Sequence, residues 1–309
     1  MTRSARVIVE SASSPVRTRV AMPCGGVAGF SAPSPDREAS EDALLVLDLP
    51  DSRAVFAVAD GLGGLPGGRD AARLAVTCLA DAVETGAAGG QTLRGAILDG
   101  FEAANAAILR TATGAATTLA VAALEAGTIR SFHVGDSEVL LVGQRGRLRM
   151  RTVAHSPTGF AVEAGFLEDD SALAHNERHI VSNVVGSRDM RIDIGSPTPL
   201  NPFDTVLLGS DGLMDNLRVE EIIACVCTGP LGHAVDAAAS AASLRMTIRE
   251  PGQPSGRDQA QRHEQRRGQA VQIRKRHQRP PRAQAPQTAA DALGETSRGC
   301  AQHRPILPR

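Results

Sequence analysis

Tryptophan and tyrosine are absent from this chain of 309 residues, and lysine occurs once, as Lys275, among 33 basic residues. The arginine skew reads as coding bias in a GC-rich genome and points to no function. Five cysteines (Cys24, Cys78, Cys225, Cys227, Cys300) are odd in number, scattered, and form no C-x-x-C pair. That spacing speaks against a disulfide framework and against a zinc site. No stretch reaches the roughly 18 apolar residues of a membrane span, and Arg, Glu and Pro interrupt the N-terminus before any signal-like core. A soluble, cytoplasmic protein is expected.

The composition is 42% hydrophobic, enough for a sizeable core. A net charge of −1 conceals a division, since residues 257–309 carry twelve basic against four acidic side chains. Residues 1–30 are rich in Ser, Pro, Arg and Gly and read as a variable lead-in with one edge strand near Arg6 to Glu10. Two short β-leaning runs, "ALLVLDL" and "AVFAVA", flank the turn "PDSR". Apolar residues at helical spacing then predict two helices, one through Ala71, Leu74, Ala75, Cys78, Leu79, Ala82 and Val83, the next through Leu93, Ile97, Phe101, Ala104 and Ile108. From Thr117 four short strands with Gly-containing or charged turns have the rhythm of an antiparallel meander. An irregular stretch over 155–176, short strands in "HIVSNVVG" and "MRIDIG", a strongly apolar strand "DTVLLGS" and two further helices complete the pattern. Strands mixed with helix pairs, without strict βαβ alternation, indicate an α+β fold of antiparallel sheets covered by helices. Beyond Glu250 the chain becomes Gln-, Arg- and Pro-rich, and disorder is expected.

"AVADGLGG" (Ala57 to Gly64) ends an apolar strand on Asp60 and three glycines. It lacks the third glycine of a dinucleotide loop and the second strand of a hairpin. The arrangement recurs: Asp136 follows a strand in "FHVGDSEVLLV", and Asp211 ends the most apolar strand in "TVLLGSDGLMD", with Asp215 four residues on. Carboxylates gathered at strand ends repel one another unless a cation lies among them, and oxygen donors favour Mg²⁺ or Mn²⁺. Each turn taken alone is also explained by capping.

Together with "REASEDA" (Arg37 to Ala43), "GAATTLAVAAL" (Gly114 to Leu124) and "HVGDSEVLL" (His133 to Leu141), these stretches resemble, in order, the metal-dependent serine/threonine protein phosphatases of the 2C type, in their bacterial form. The resemblance covers about residues 30 to 250. It implies a four-layer α-β-β-α sandwich, a phosphatase domain over 31–250, and hydrolysis of phosphoserine or phosphothreonine by a metal-activated water. It implies two Mn²⁺ or Mg²⁺ ions held by Asp60, the Gly61 carbonyl and Asp211, and a third, weaker ion at Asp136 and Asp215. Glu41, in the pair Glu41-Asp42, would hold water in the metal shell, and Arg37 would grip the substrate phosphate. The implied partners are a phosphorylated protein and an opposing Ser/Thr kinase, with a monomeric enzyme; no membrane partner is expected without a long apolar run, and the Arg-rich tail lacks the aromatic residues of a nucleic-acid arm.

Two departures stand out. The position after Asp-Gly, a histidine in some members, is Leu62, which donates no proton. The family also ends in an Asp-Asn or Asp-Asp pair and a Thr-containing apolar strand, where this chain has "RDQAQRHEQRRGQ". The last strand is therefore expected to be missing and the 251–309 tail to be disordered or frame-shifted from near Gly256. A catalytically weak pseudophosphatase that binds phosphoproteins is the alternative.

Overall fold

The computed structural model describes residues 5–10, 13–33, 37–62, 67–175, 177–227, 229–249 and 270–275. Three strands come first: β1 (Ala5–Glu10), β2 (Val16–Met22) and β3 (Gly25–Ser31). Next are β4 (Asp42–Leu49), β5 (Arg53–Asp60) and the helices α1 (Gly68–Ala88) and α2 (Leu93–Arg110). The strands β6 (Leu119–Glu125), β7 (Thr128–Val134), β8 (Glu138–Val142) and β9 (Leu148–Arg151) follow, then the short helices α3 (Pro157–Glu163) and α4 (Asp169–Ala172). After the two-residue strands β10 (Asp193–Ile194) and β11 (Thr198–Pro199) come β12 (Thr205–Gly209), α5 (Asp211–Met214), α6 (Val219–Val226), α7 (Leu231–Arg249) and β13 (Ala270–Lys275).

Two sheets form. One runs β1-β4-β5-β6-β7-β10, with β11 also on β7; the other runs β2-β3-β13-β12-β8-β9. Strand alternation sorts the side chains into layers. Leu45, Leu47, Val55 and Ala57 pack against α1 and α2, while Leu44, Val46, Phe56 and Val58 meet Val27, Val139, Leu141, Val206 and Leu208 of the other sheet. Leu140, Val142 and Leu207 face α5, α6 and α7. This is the expected four-layer α-β-β-α sandwich, and its strands read as unbroken apolar runs because both faces are covered. Burying a side chain such as Phe56, 0% exposed, contributes about 1.5–3 kcal/mol.

Several local expectations hold for identifiable reasons. "PDSR" closes the β4-β5 hairpin with positive φ at both Asp51 (63°) and Ser52 (56°), the requirement of a type I′ turn. Both helices predicted from spacing are present. The four-strand meander is corrected: β6 and β7 belong to one sheet, β8 and β9 to the other, and the chain changes sheet at Gly135-Asp136-Ser137. "HIVSNVVG" makes one isolated bridge, Val185 to Thr117, instead of a strand.

Two larger corrections concern the ends. Residues 1–30 are not a loose lead-in, since β2 and β3 form a hairpin within the second sheet. Their low bulk hid them: at Gly26 an added Cβ would lie 3.3 Å from Leu231 Cδ2, so α7 packs close over nearly bare backbone. The last strand is not missing either. Ala270–Lys275 lies between β3 and β12, with Ala270 opposite both Phe30 and Gly209. The remainder of the 251–309 tail, Asp258 included, lies outside the described residues.

Candidate metal centre

Period-2 alternation that points Phe56 and Val58 between the sheets carries Asp60 the same way, and Asp42 follows Leu44 and Val46 in β4. The two aspartates stand opposite each other in register, and each is 2% exposed. Like charges so placed are destabilising on a sheet. Thr118, just before β6, fixes the spot: its Oγ1 accepts the Asp60 N–H at 3.0 Å and its N–H donates to the Asp60 carbonyl at 2.9 Å. Thr117 Oγ1 donates to the same carbonyl at 2.8 Å.

Gly61 continues into a confined turn. A Cβ there would lie 2.2 Å from the Gly68 carbonyl oxygen and 2.9 Å from that of Glu41, so the start of α1 and the Glu41 loop leave no room for a side chain. The Gly61 N–H donates to the Glu41 carbonyl at 3.3 Å. Glycine is thus required by close approach of three backbone segments.

Asp136 sits on the sheet-changing loop. Gly135 has φ +104°, and a Cβ would lie 2.6 Å from Thr118 Cβ. Ser137 Oγ hydrogen-bonds Thr118 Oγ1 at 2.7 Å, so one threonine holds both the Asp60 strand end and the Asp136 loop. Asp211 opens α5 directly after β12, and Asp215 is one turn later on the same face.

The electrostatics unite these residues. Asp211 is pushed up to about 8, first by burial, then by the Asp215 and Asp42 carboxylates, with His179 opposing. Asp136 is raised well above the usual carboxylate range by burial and then by Asp211 and Asp215. Asp211 Oδ1 is buried and has no hydrogen-bond partner among the described residues. Asp60, Leu62, Thr118, Asp136, His179, Val181 and Asp211 line a crevice of about 10 Å³, the room of a single water or ion. It adjoins a cavity of about 130 Å³ bordered by Asp136, Asp215, Arg178, Arg151 and Arg218.

The structure thus brings Asp60, Gly61, Asp136, Asp211 and Asp215 to one end of the sandwich. Arg37 and Glu41 lie beside them, joined in an ion pair four residues apart. Sequence reasoning assigned no role to Thr117, Thr118, Ser137, Arg178 and His179, and named Asp42 only as the neighbour of Glu41. Arg178 Nε and His179 Nδ1 lie 3.9 and 3.5 Å from Asp215 Oδ2. The threonine pair in "GAATTLAVAAL" was the available signal, whereas Arg178 and His179 arrive from a stretch without periodicity.

His133, His155 and Asp193 form a second cluster, with one potential ligand atom of each within 4.8 Å of the others. Hydrogen-bond polarity argues against a cation there. The Gly135 N–H donates to His155 Nδ1 at 3.1 Å and the Asn183 amide nitrogen does so at 2.9 Å. Asn183 is oriented by Arg191, whose carbonyl takes its Nδ2 and whose N–H takes its Oδ1. A neutral His155 therefore carries its proton on Nε2, facing Asp193 at 3.2 Å, and has no lone pair there for a metal.

Residues 36–250 match the family model for protein phosphatase 2C. Protein phosphatase PhpP of Streptococcus pneumoniae serotype 2 (strain D39) is 32% identical over 178 residues, 55% of this chain and 71% of the relative. Among solved structures, the PPM Ser-Thr phosphatase MsPP of Mycobacterium smegmatis, in complex with cacodylate, superposes with a TM-score of 0.64 at 23% identity, covering 80% of this chain and 97% of that one. The catalytic domain of the serine threonine protein phosphatase PstP, in complex with two manganese ions, gives 0.59 at 19%, covering 81% and 96%. The sandwich with carboxylates at its strand ends is therefore a phosphatase fold. The chain belongs to the protein phosphatase 2C family, whose members are serine/threonine phosphatases that use divalent metals.

The raised carboxyls carry a prediction for the metal-free protein. An acid whose folded pKa lies above its unfolded value binds more protons folded than unfolded between the two, so stability falls as pH rises. For Asp211 that window runs from about 4 to about 8. Melting temperature of the metal-free chain is expected to decline across it, and millimolar Mn²⁺ to remove the decline at its upper end. A metal-free melting temperature that climbs across the window contradicts this electrostatic picture.

Proposed function

We propose that this chain hydrolyses phosphoserine and phosphothreonine esters in proteins at a centre of two Mn²⁺ or Mg²⁺ ions, with a third, weaker site. Asp60, the Gly61 carbonyl and Asp211 would hold the pair; Asp136 and Asp215 would hold the third. The observation that carries this reading is the buried Asp211 Oδ1, without a hydrogen-bond partner among the described residues, in a carboxyl whose pKa burial and then neighbouring carboxylates raise to about 8. Such an oxygen is costly to bury unless a cation meets it. When bound, the ions would neutralise phosphate charge and lower the pKa of bound water.

The protein's own groups do the rest. Arg37, permanently charged and forked, would exchange Glu41 for two phosphoryl oxygens and orient the ester. Glu41, released from that pair, would accept a hydrogen bond from water in the site. Thr117 and Thr118 keep the Asp60 N–H and carbonyl in place. Leu62 lines the crevice and carries no proton, so the leaving oxygen would be protonated from solvent within the site. The reading extends to a monomeric cytoplasmic enzyme acting on phosphoproteins opposite a Ser/Thr kinase.

One observation favours a weakly active binding module instead. Gly268 and Gln269, which lead into β13, carry no carboxylate, and Ala270 stands opposite Gly209, two residues before Asp211. The test is turnover of an aryl phosphate by the purified chain in millimolar Mn²⁺ and again after chelation. Metal-dependent turnover supports the enzyme; saturable phosphopeptide binding with no turnover in either condition supports the binding module.

A further inference from the structure

His155 lies on neither sheet and belongs to no ligand set, yet it bridges the Asp136 loop and the chain segment that follows Arg178 and His179. It grips Gly135 twice: the His155 N–H donates to the Gly135 carbonyl at 3.0 Å, and the Gly135 N–H donates to Nδ1 at 3.1 Å. On its other side the His155 carbonyl accepts from Ser182 N–H at 2.8 Å and Ser182 Oγ at 2.9 Å, while Asn183 Nδ2 reaches Nδ1 at 2.9 Å. The ring stacks on His133 with centroids 4.4 Å apart and is 4% exposed. His133 is itself fixed by a 2.8 Å hydrogen bond from Nε2 to the Val153 carbonyl.

We propose that His155 is a positioning residue for the metal centre: its Nδ1 sets the Gly135 peptide, and with it the aim of Asp136, while its carbonyl and ring fasten the same loop to Ser182 and Asn183. Gly135 has no side chain of its own and sits at φ +104°, so the two peptide planes that flank it are oriented by what its N–H and its carbonyl meet. Both meet His155. Groups that orient a ligand govern metal affinity by about 10- to 100-fold in well-studied sites. The segment that carries Arg178 and His179 is thereby tied through Ser182, Asn183 and His155 to the loop that carries Asp136. This inference rests on the reading of Asp136 as a ligand.

Side-chain geometry supplies the test. Asparagine places Oδ1 where histidine has Nδ1, whereas glutamine places Oε1 where histidine has Nε2. His155→Asn keeps the acceptor for Gly135, and His155→Gln removes it. Calorimetric Mn²⁺ titration is expected to show the weakest site about tenfold weaker in the Gln variant and within about threefold of wild type in the Asn variant, the scale of one buried hydrogen bond. Amide exchange at Gly135 should accelerate in the Gln variant alone. Asn183→Asp acts on the same nitrogen without altering the His155 ring, and is expected to weaken the same site, which keeps the test open should the Gln variant not fold. Asn and Gln variants with equal Mn²⁺ affinity and equal Gly135 exchange overturn the proposal. The underlying reading fails separately: Asp136→Asn with wild-type Mn²⁺ stoichiometry removes Asp136 as a ligand, while Gly135 exchange in the Gln variant still reports on His155.

Discussion

Asp60→Asn is expected to fold and melt cooperatively while turning over an aryl phosphate at least about a hundredfold more slowly than wild type in millimolar Mn²⁺. The substitution preserves shape, so the backbone hydrogen bonds from Thr117 and Thr118 to the Asp60 peptide survive. What it removes is one negative charge from the residues that would hold the metal ions, and two decades of rate correspond to about 2.7 kcal/mol. Without metal, stability is expected to hold or rise, because Asp42 no longer faces a second carboxylate across the β4-β5 ladder. Equal turnover by the two proteins would falsify the placement of the reaction at Asp60.

The second large effect concerns the tail. A chain stopped after Arg257 is expected to lose its cooperative thermal transition, because β13 lies between β3 and β12 and not at an edge. Its removal strips both neighbours of a full ladder at once, from Gly25 to Phe30 and from Thr205 to Gly209. Each buried backbone group left unmet costs on the order of 1–3 kcal/mol, and a few of these exceed the stability of an ordinary domain. A truncated chain that melts as sharply as the full one, at a similar temperature, rules out this role for Ala270–Lys275. Replacing Gln272 by proline checks the same ladder within the full-length chain, since proline has no N–H to donate.

The sequence was most legible where strands are buried on both faces. β4, β5 and β12 appear as largely apolar runs, and Asp60 and Asp211, at or just past the ends of β5 and β12, stand out against them. The amphipathic spacing of α1 and α2 was equally readable. What escaped notice depends on backbone instead of side chains. β2 and β3 pair through residues such as Gly25, Gly26, Ala28 and Gly29, whose lack of bulk suits a closely packed helix but gives no hydrophobic signal. β13 was hidden for a related reason. A strand flanked on both sides draws much of its cohesion from the ladder, so six residues amid arginine and glutamine suffice. The gap that suggested a shifted reading frame is thus filled by the chain as it stands, although the carboxylate that the family places there is not at the strand's start. In the site, the aspartates announced themselves by position, while Thr118, His155 and Asn183 act through partners remote in sequence.

Phe30 and Ala270, neighbours in the second sheet, come from opposite ends of the described chain. During synthesis the β2-β3 hairpin leaves the ribosome well before β13 and must wait, one rim open, until β13 follows. Nascent chains therefore carry an exposed pairing surface while the intervening residues are made, the circumstance in which strands join the wrong partner. Closure of that rim is a late, long-range event of the slow kind.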